Sequence, residues 1–189
     1  MSRLRQNKKA FTIIELLVSA AIIITITLLV VFNLKGINQK STLEFEAEKL
    51  SSLLRRAHIN TLIGLTDAGI RPPGGYGVQI TQCAAGSCSY ILFADKCADP
   101  CVLDYQYDGG PPVGVDVLIQ QLEILGDNVF VSLVQPVGPL NIVFAPPSGQ
   151  VYINGATTPV SATTTLRFTG SGYVKELIVD QHTGRINIQ

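Results

Sequence analysis

The chain of 189 residues has no tryptophan, one methionine and only two histidines, His58 and His182. Neither histidine stands beside a nucleophile in a recognisable motif. There is no G-x-S-x-G, no P-loop and no H-E-x-x-H, and no glycine-rich loop leads from a strand into a helix. No catalytic residue, cofactor or resident metal is therefore assigned, and an enzyme is not expected. Charge is scarce: 15% of residues are charged, against roughly 25% in ordinary soluble domains. With 47% hydrophobic residues, that scarcity excludes disorder, which needs few apolar residues and many charges. Lys+Arg and Asp+Glu are equal at 14 each, so no global basic field advertises nucleic acid. The 17 glycines and 10 prolines show no triplet period, which excludes a collagen-like chain.

The charge balance conceals an asymmetry. The first ten residues hold Arg3, Arg5, Lys8 and Lys9 and no acid, which leaves 10 basic and 14 acidic residues, a net of −4, on the remainder. The run Phe11 to Phe32 follows, 22 residues whose only charge is Glu15. As a helix it is roughly 33 Å long, about the thickness of a bilayer's hydrocarbon core. Basic residues on its N-terminal side predict that residues 1–10 stay in the cytoplasm and everything after about Asn33 lies outside it. Three readings compete: a plain single-span anchor, a cleaved secretory signal and a processed assembly helix. Val18-Ser19-Ala20 offers a faint small-residue cleavage site, but the apolar run continues for twelve more residues, whereas a signal ends at its cut.

Glu15 separates the other two. A carboxylate at the bilayer centre costs about 2.5–3.5 kcal/mol on insertion scales, and a plain anchor has no use for one. A free α-amino group made by cleavage before Phe11 would lie one helical turn away, on the same chain or a neighbour. Lys8-Lys9-Ala10-Phe11-Thr12-Ile13-Ile14-Glu15-Leu16-Leu17-Val18 resembles the processing site of type IV prepilins and pseudopilins. The resemblance implies a leader removed after Ala10 by a prepilin peptidase, N-methylation of Phe11, and Glu15 as the fifth mature residue, neutralising the amine of an adjacent subunit. It implies as partners the other pilin or pseudopilin subunits, met through the N-terminal helix, and an inner-membrane assembly platform. The location implied is the bacterial inner membrane, single-pass with the head outside, then a cell-surface or periplasmic filament of a type IV pilus or type II secretion system. The family usually has glycine where this chain has Ala10, a departure that bears on processing.

After Asn33 the pattern turns amphipathic. Leu43, Ala47, Leu50, Leu54 and Ala57 recur at helical spacing, Leu53 widens the stripe, and Glu44, Glu48, Lys49, Arg55 and Arg56 take other positions. One helix is expected from about Thr12 to Ile63, ended by Gly64 and the Pro-Gly stretch Arg71–Gly75. From Tyr76 the period is two, and strands are expected at Tyr76–Ile80, Tyr90–Ala94, Val117–Leu125, Val129–Val134, Leu140–Phe144, Gln150–Ile153, Thr163–Thr169, Val174–Asp180 and Arg185–Ile188. Gly126-Asp127-Asn128 and Asn154-Gly155 are turn signals. The expected class is α+β: a long N-terminal helix, half in lipid, packed on an antiparallel sheet or sandwich. The expected divisions are a leader at 1–10, a membrane and assembly helix at 11–33, an amphipathic helix at 34–64 and a β-rich head at 65–189. The Phe144-x-Pro146-x-x-Gly149 stretch, the segment Leu50–Asn60 and the closing Thr183-Gly184-Arg185-Ile186-Asn187-Ile188 resemble the H-type pseudopilin and FimT-like minor pilin family. That implies a pilin-like head. The plainer readings are a Pro-Gly loop between two strands and a hairpin turn with a solvated arginine.

Cys83, Cys88, Cys97 and Cys101 follow C-x4-C-x8-C-x3-C. Outside the cytoplasm disulfides are the expectation: Cys83–Cys88 with Cys97–Cys101, or a nested Cys83–Cys101 with Cys88–Cys97. A four-thiolate zinc site is the minor alternative. Asp95, Asp99, Asp104 and Asp108 crowd the same stretch and are expected to be solvated loop acids, with a calcium site the lesser reading. The net of −4 argues against broad DNA binding, although Arg167, Lys175 and Arg185 offer a local basic patch. The alternative to a filament subunit is a single-span envelope protein with an extracytoplasmic β-rich binding domain that never polymerises.

Overall fold

A computed structural model describes residues 12–67, 69–83, 88–97, 103–109, 116–124, 128–156, 161–168 and 172–189. Helix α1 spans Ile13–Leu62, 50 residues. Nine strands follow: β1 Gly75–Ile80, β2 Ser89–Asp95, β3 Val117–Glu123, β4 Val129–Gln135, β5 Leu140–Ala145, β6 Gln150–Ile153, β7 Ser161–Phe168, β8 Val174–Asp180 and β9 Ile186–Ile188. The class is α+β. The chain forms two compact units, Met1–Asn38 and Gln39–Gln189.

The first unit's described part is apolar helix. No proline or glycine breaks Ile13 to Lys35. Its hydroxyls turn inward: Ser19 donates to the Glu15 carbonyl at 2.7 Å, Thr25 to that of Ala21 and Thr27 to that of Ile23, both at 2.8 Å. Each of these three hydroxyls is thereby satisfied within the helix, as a lipid environment would require.

The second unit holds the rest of α1 and two antiparallel sheets. One has the order β3-β2-β1-β5-β6, the other β4-β7-β8-β9. Adjacent strands pair antiparallel, with registers such as Tyr76↔Phe144 and Thr165↔Glu176 and with register shifts at Leu92/Phe93 and Val131/Leu133. The stripe Leu43, Ala47, Leu50, Leu53, Leu54 and Ala57 is buried throughout and forms one core with side chains of both sheets. Tyr76, Val78 and Ile80 of β1 face that core, as do Leu140, Ile142 and Phe144 of β5. Near its C-terminal end α1 is fastened by the buried Thr61 hydroxyl, which donates to the Phe144 carbonyl at 2.8 Å and accepts the Tyr76 N–H at 3.0 Å. The helix then stops at Gly64, which takes a positive φ of 64°.

Two features depart from the expected alternation. All six residues of β5 are buried, and Phe93 and Val143, which belong to the opposite face from the core, are fully buried too. Residues 103–109, between β2 and β3, contribute to covering that face: Tyr107 packs on Phe93 at 5.1 Å and Tyr105 stacks on Tyr152 at 3.9 Å. Lys49 is the second departure. It is not a solvated helix residue; its ammonium donates to the Glu123 carbonyl and pairs with the buried Glu46 at 3.4 Å. Its long stem lets an amphipathic residue sit at the edge of the core. The Asn154-Gly155 turn has φ values of 49° and 69°, both in the left-handed region that a two-residue hairpin turn of this type requires. The 126–127 part of the other turn signal lies outside the described residues.

Leu50 is fully buried, so Leu50→Ala is expected to cost about 2–5 kcal/mol. Phe45, on the same helix but 55% exposed, is expected to tolerate Ala within about 0.5 kcal/mol. Denaturant unfolding of the detergent-solubilised chain checks the contrast.

Candidate functional site

Lys8, Lys9, Ala10 and Phe11, the expected cleavage and methylation residues, lie outside the described residues. Glu15 is described. Thr12 caps the helix: its Oγ1 accepts the Glu15 N–H at 3.3 Å, and its carbonyl accepts the same N–H at 3.1 Å. Thr12-Ile13-Ile14-Glu15 has the spacing of a capping box, in which the glutamate would reach back to the N-cap amide. That reciprocal bond is not made. The carboxylate of Glu15 takes no partner among the described residues. It sits in the first turn, where the helix dipole favours negative charge.

Around it every side chain from Thr12 to Val31 is exposed, including Ile13, Leu16, Leu17, Ile22 and Ile26. This helix is long and apolar enough to cross a membrane. Soluble monomers rarely show contiguous apolar patches beyond a few hundred Å². A surface of this length needs lipid, other helices, or both, and its single acid needs a cation or water.

The Cys83–Cys88 disulfide is formed, with Cα atoms 5.4 Å apart. It joins the end of β1 to the start of β2. Backbone bonds extend its reach: Cys83 N–H donates to Val131 of the second sheet at 3.2 Å, and the Cys88 carbonyl accepts the Ile124 N–H at 2.9 Å. This pairing rules out the nested arrangement and a four-thiolate zinc site. Cys97 is also disulfide-bonded; Cys101, its expected partner, lies outside the described residues.

The two histidines, which the sequence gave no reason to connect, line one open cleft of about 430 Å³ with Ser148, Gly149, Thr183 and Gly184. His58 comes from α1 and His182 from the turn after β8. The Phe144-x-Pro146-x-x-Gly149 stretch explains the arrangement. The Phe144 ring stacks on His58 at 4.7 Å. Gly149 has φ of 72°, and a Cβ there would lie 2.6 Å from His58 Nε2. The stretch is thus a packing device that seats an imidazole. Burial lowers the His58 pKa from its ordinary value, which favours the neutral ring. No spacing rule relates residues 58 and 182, so only the fold brings them together.

The aspartates are not all solvated loop acids. Asp104 and Asp108 are exposed, but Asp95 ends β2 and is fully buried. Asp116, not singled out from sequence, is buried beside it. Asp99 lies outside the described residues. Among the described residues no three His, Cys, Asp or Glu side chains are placed to hold a metal ion. Of the basic patch, Lys175 pairs with Glu44 at 3.9 Å, while Arg167 and Arg185 are exposed.

No protein-family model matches this chain, and neither does any curated protein or solved structure.

Replacing both Cys83 and Cys88 by Ser is expected to lower stability by about 2 kcal/mol, the loop-closure term for so short a loop. Denaturant midpoints of oxidised wild type and double variant, compared at equal slope, check this.

Proposed function

We propose that the chain is the precursor of a minor pilin or pseudopilin. A prepilin peptidase cuts it after Ala10, Phe11 is N-methylated, and the apolar helix holds the subunit in the inner membrane until it stacks with other subunits in a filament. The observation that carries this reading is the first turn of α1. A lone carboxylate with no partner among the described residues stands at the start of an exposed apolar surface. That is the acceptor a neighbouring N-terminal ammonium needs. Helix packing would supply most of the assembly energy. The Glu15–amine pair would set register, because buried pairs contribute specificity more dependably than net stability.

The class of the head agrees with the proposal without depending on it. The second unit is of α+β class and has the C-terminal part of a long helix in its core, as a filament subunit with a separate head would. A single-span envelope protein has the same anchor but gives Glu15 no task.

Glu15→Leu removes the carboxylate and lowers the insertion cost. The expected result is normal membrane accumulation with incorporation into filaments reduced at least tenfold, since leaving one member of a buried pair alone costs about 3–5 kcal/mol. Glu15→Gln is expected to show the same loss. Filament fractions from cells carrying each variant, measured against membrane content, give the readout. Incorporation equal to wild type, or no filament-associated wild-type chain at all, would leave the envelope-anchor reading in place.

A further inference from the structure

Asp95 presents an unusual arrangement. Its side chain has no solvent exposure, and neither carboxyl oxygen has a hydrogen-bond partner. Beneath it lies Gly74, whose backbone leaves no room for a Cβ against the carboxyl group. Above it the connection from β2 to β3 brings Asp116, Asp104, Asp108 and Tyr105 into electrostatic range. The neighbouring Lys96 does not compensate, because its ammonium is bound to Asp67 at 2.6 Å. A carboxylate in such a place is far costlier than a neutral carboxyl group.

Asp116 has a different task. Its Oδ1 accepts the N–H of Lys96 at 3.0 Å and its Oδ2 accepts the N–H of Asp108 at 2.9 Å. One side chain thereby clasps the start of the connection to its middle. The same stretch carries Tyr105 and Tyr107, whose rings lie on Tyr152 and Phe93. The clasp holds the cover over the outer face of the first sheet, and Asp95 is the group whose charge would oppose it.

We infer that Asp95 is a proton switch: with its carboxyl neutral the 103–109 cover stays seated on the sheet, and loss of that proton repels Asp116, opens the clasp and releases the cover. Burial first, and then the charges of Asp116, Asp104 and Asp108, push the Asp95 pKa up to about 8. Burial also raises Asp116, against the lowering effect of its two N–H bonds, and raises Asp108, with Asp104 adding to the shift. Tyr105 is raised by burial and by its neighbours Tyr152 and Asp95, so it stays neutral across the relevant range. The folded state therefore holds more protons than the unfolded chain between the ordinary aspartate value and about 8. Stability falls as pH rises through that window, the reverse of a salt-bridged aspartate. Opening is a local event because the core on the other face of the sheet contains none of these groups.

The test is hydrogen exchange on the full chain in detergent at pH 6 and pH 9, with protection factors corrected for intrinsic exchange. Residues 103–109 are compared with 140–145 of β5. The expected result is a loss of protection of at least tenfold at 103–109 on going to pH 9, with 140–145 unchanged. Asp95→Asn, which stays neutral, is expected to keep the same protection at both values. Carbon NMR titration of the wild-type carboxyl provides a readout that needs no variant, and a midpoint near 8 is expected. The inference fails if wild-type protection is equal at both pH values, or if Asp95→Asn loses protection as wild type does. It also fails if both segments open together, or if the carboxyl titrates in the ordinary range. Restoration of the cover at pH 9 by calcium would equally overturn it, by showing that a cation and not a proton occupies the site.

Discussion

An apolar helical surface that begins with a single carboxylate has to be covered, and the covering must also answer the charge. This constraint governs the first unit of the chain. Water is a poor solvent for twenty exposed residues such as Ile13, Leu17, Ile23 and Leu29. Lipid accepts them but penalises Glu15. Neighbouring helices with a cationic terminus would answer both. The hydroxyls of Ser19, Thr25 and Thr27 are already bonded within the helix, so Glu15 is the one described side chain from Thr12 to Val31 that carries an unanswered charge.

The second unit follows a different logic. Its part of α1 is an ordinary core helix, buried by one stripe and fastened by Thr61 between β1 and β5. The two sheets close around it. The Cys83–Cys88 bridge and the backbone bonds it makes link the ends of β1 and β2 to Val131 and Ile124. A head held this way depends on its own packing.

Much of this was legible in the residues. Period 3.6 marked the stripe from Leu43 to Ala57, and period two marked the strands, because each pattern reflects a face that must be dry. Asn154-Gly155 announced its turn through the left-handed backbone it demands. Other features were hidden for a physical reason: they depend on contacts between distant segments. Tyr105 and Tyr107 cover Tyr152 and Phe93 on the outer face of the first sheet, and local alternation does not encode such a cover. Asp95 resembled its solvated neighbours because burial is a property of the fold and not of the residue. His58 and His182 line one cleft only because α1 and the β8–β9 turn converge. Thr12 and Glu15 have capping-box spacing, and only the geometry shows that the carboxylate does not make the local bond. The family resemblance rests on the residues from Lys8 to Val18, chiefly Phe11 and Glu15, and the fold adds a compatible class.

The central claim is processing at Ala10–Phe11, and the most direct measurement is mass spectrometry of the N-terminus of the chain taken from native membranes. The account predicts a chain that begins at Phe11 with one added methyl group. A chain that still begins at Met1 or Ser2 would contradict it, and the helix would then be a membrane anchor with no filament to enter.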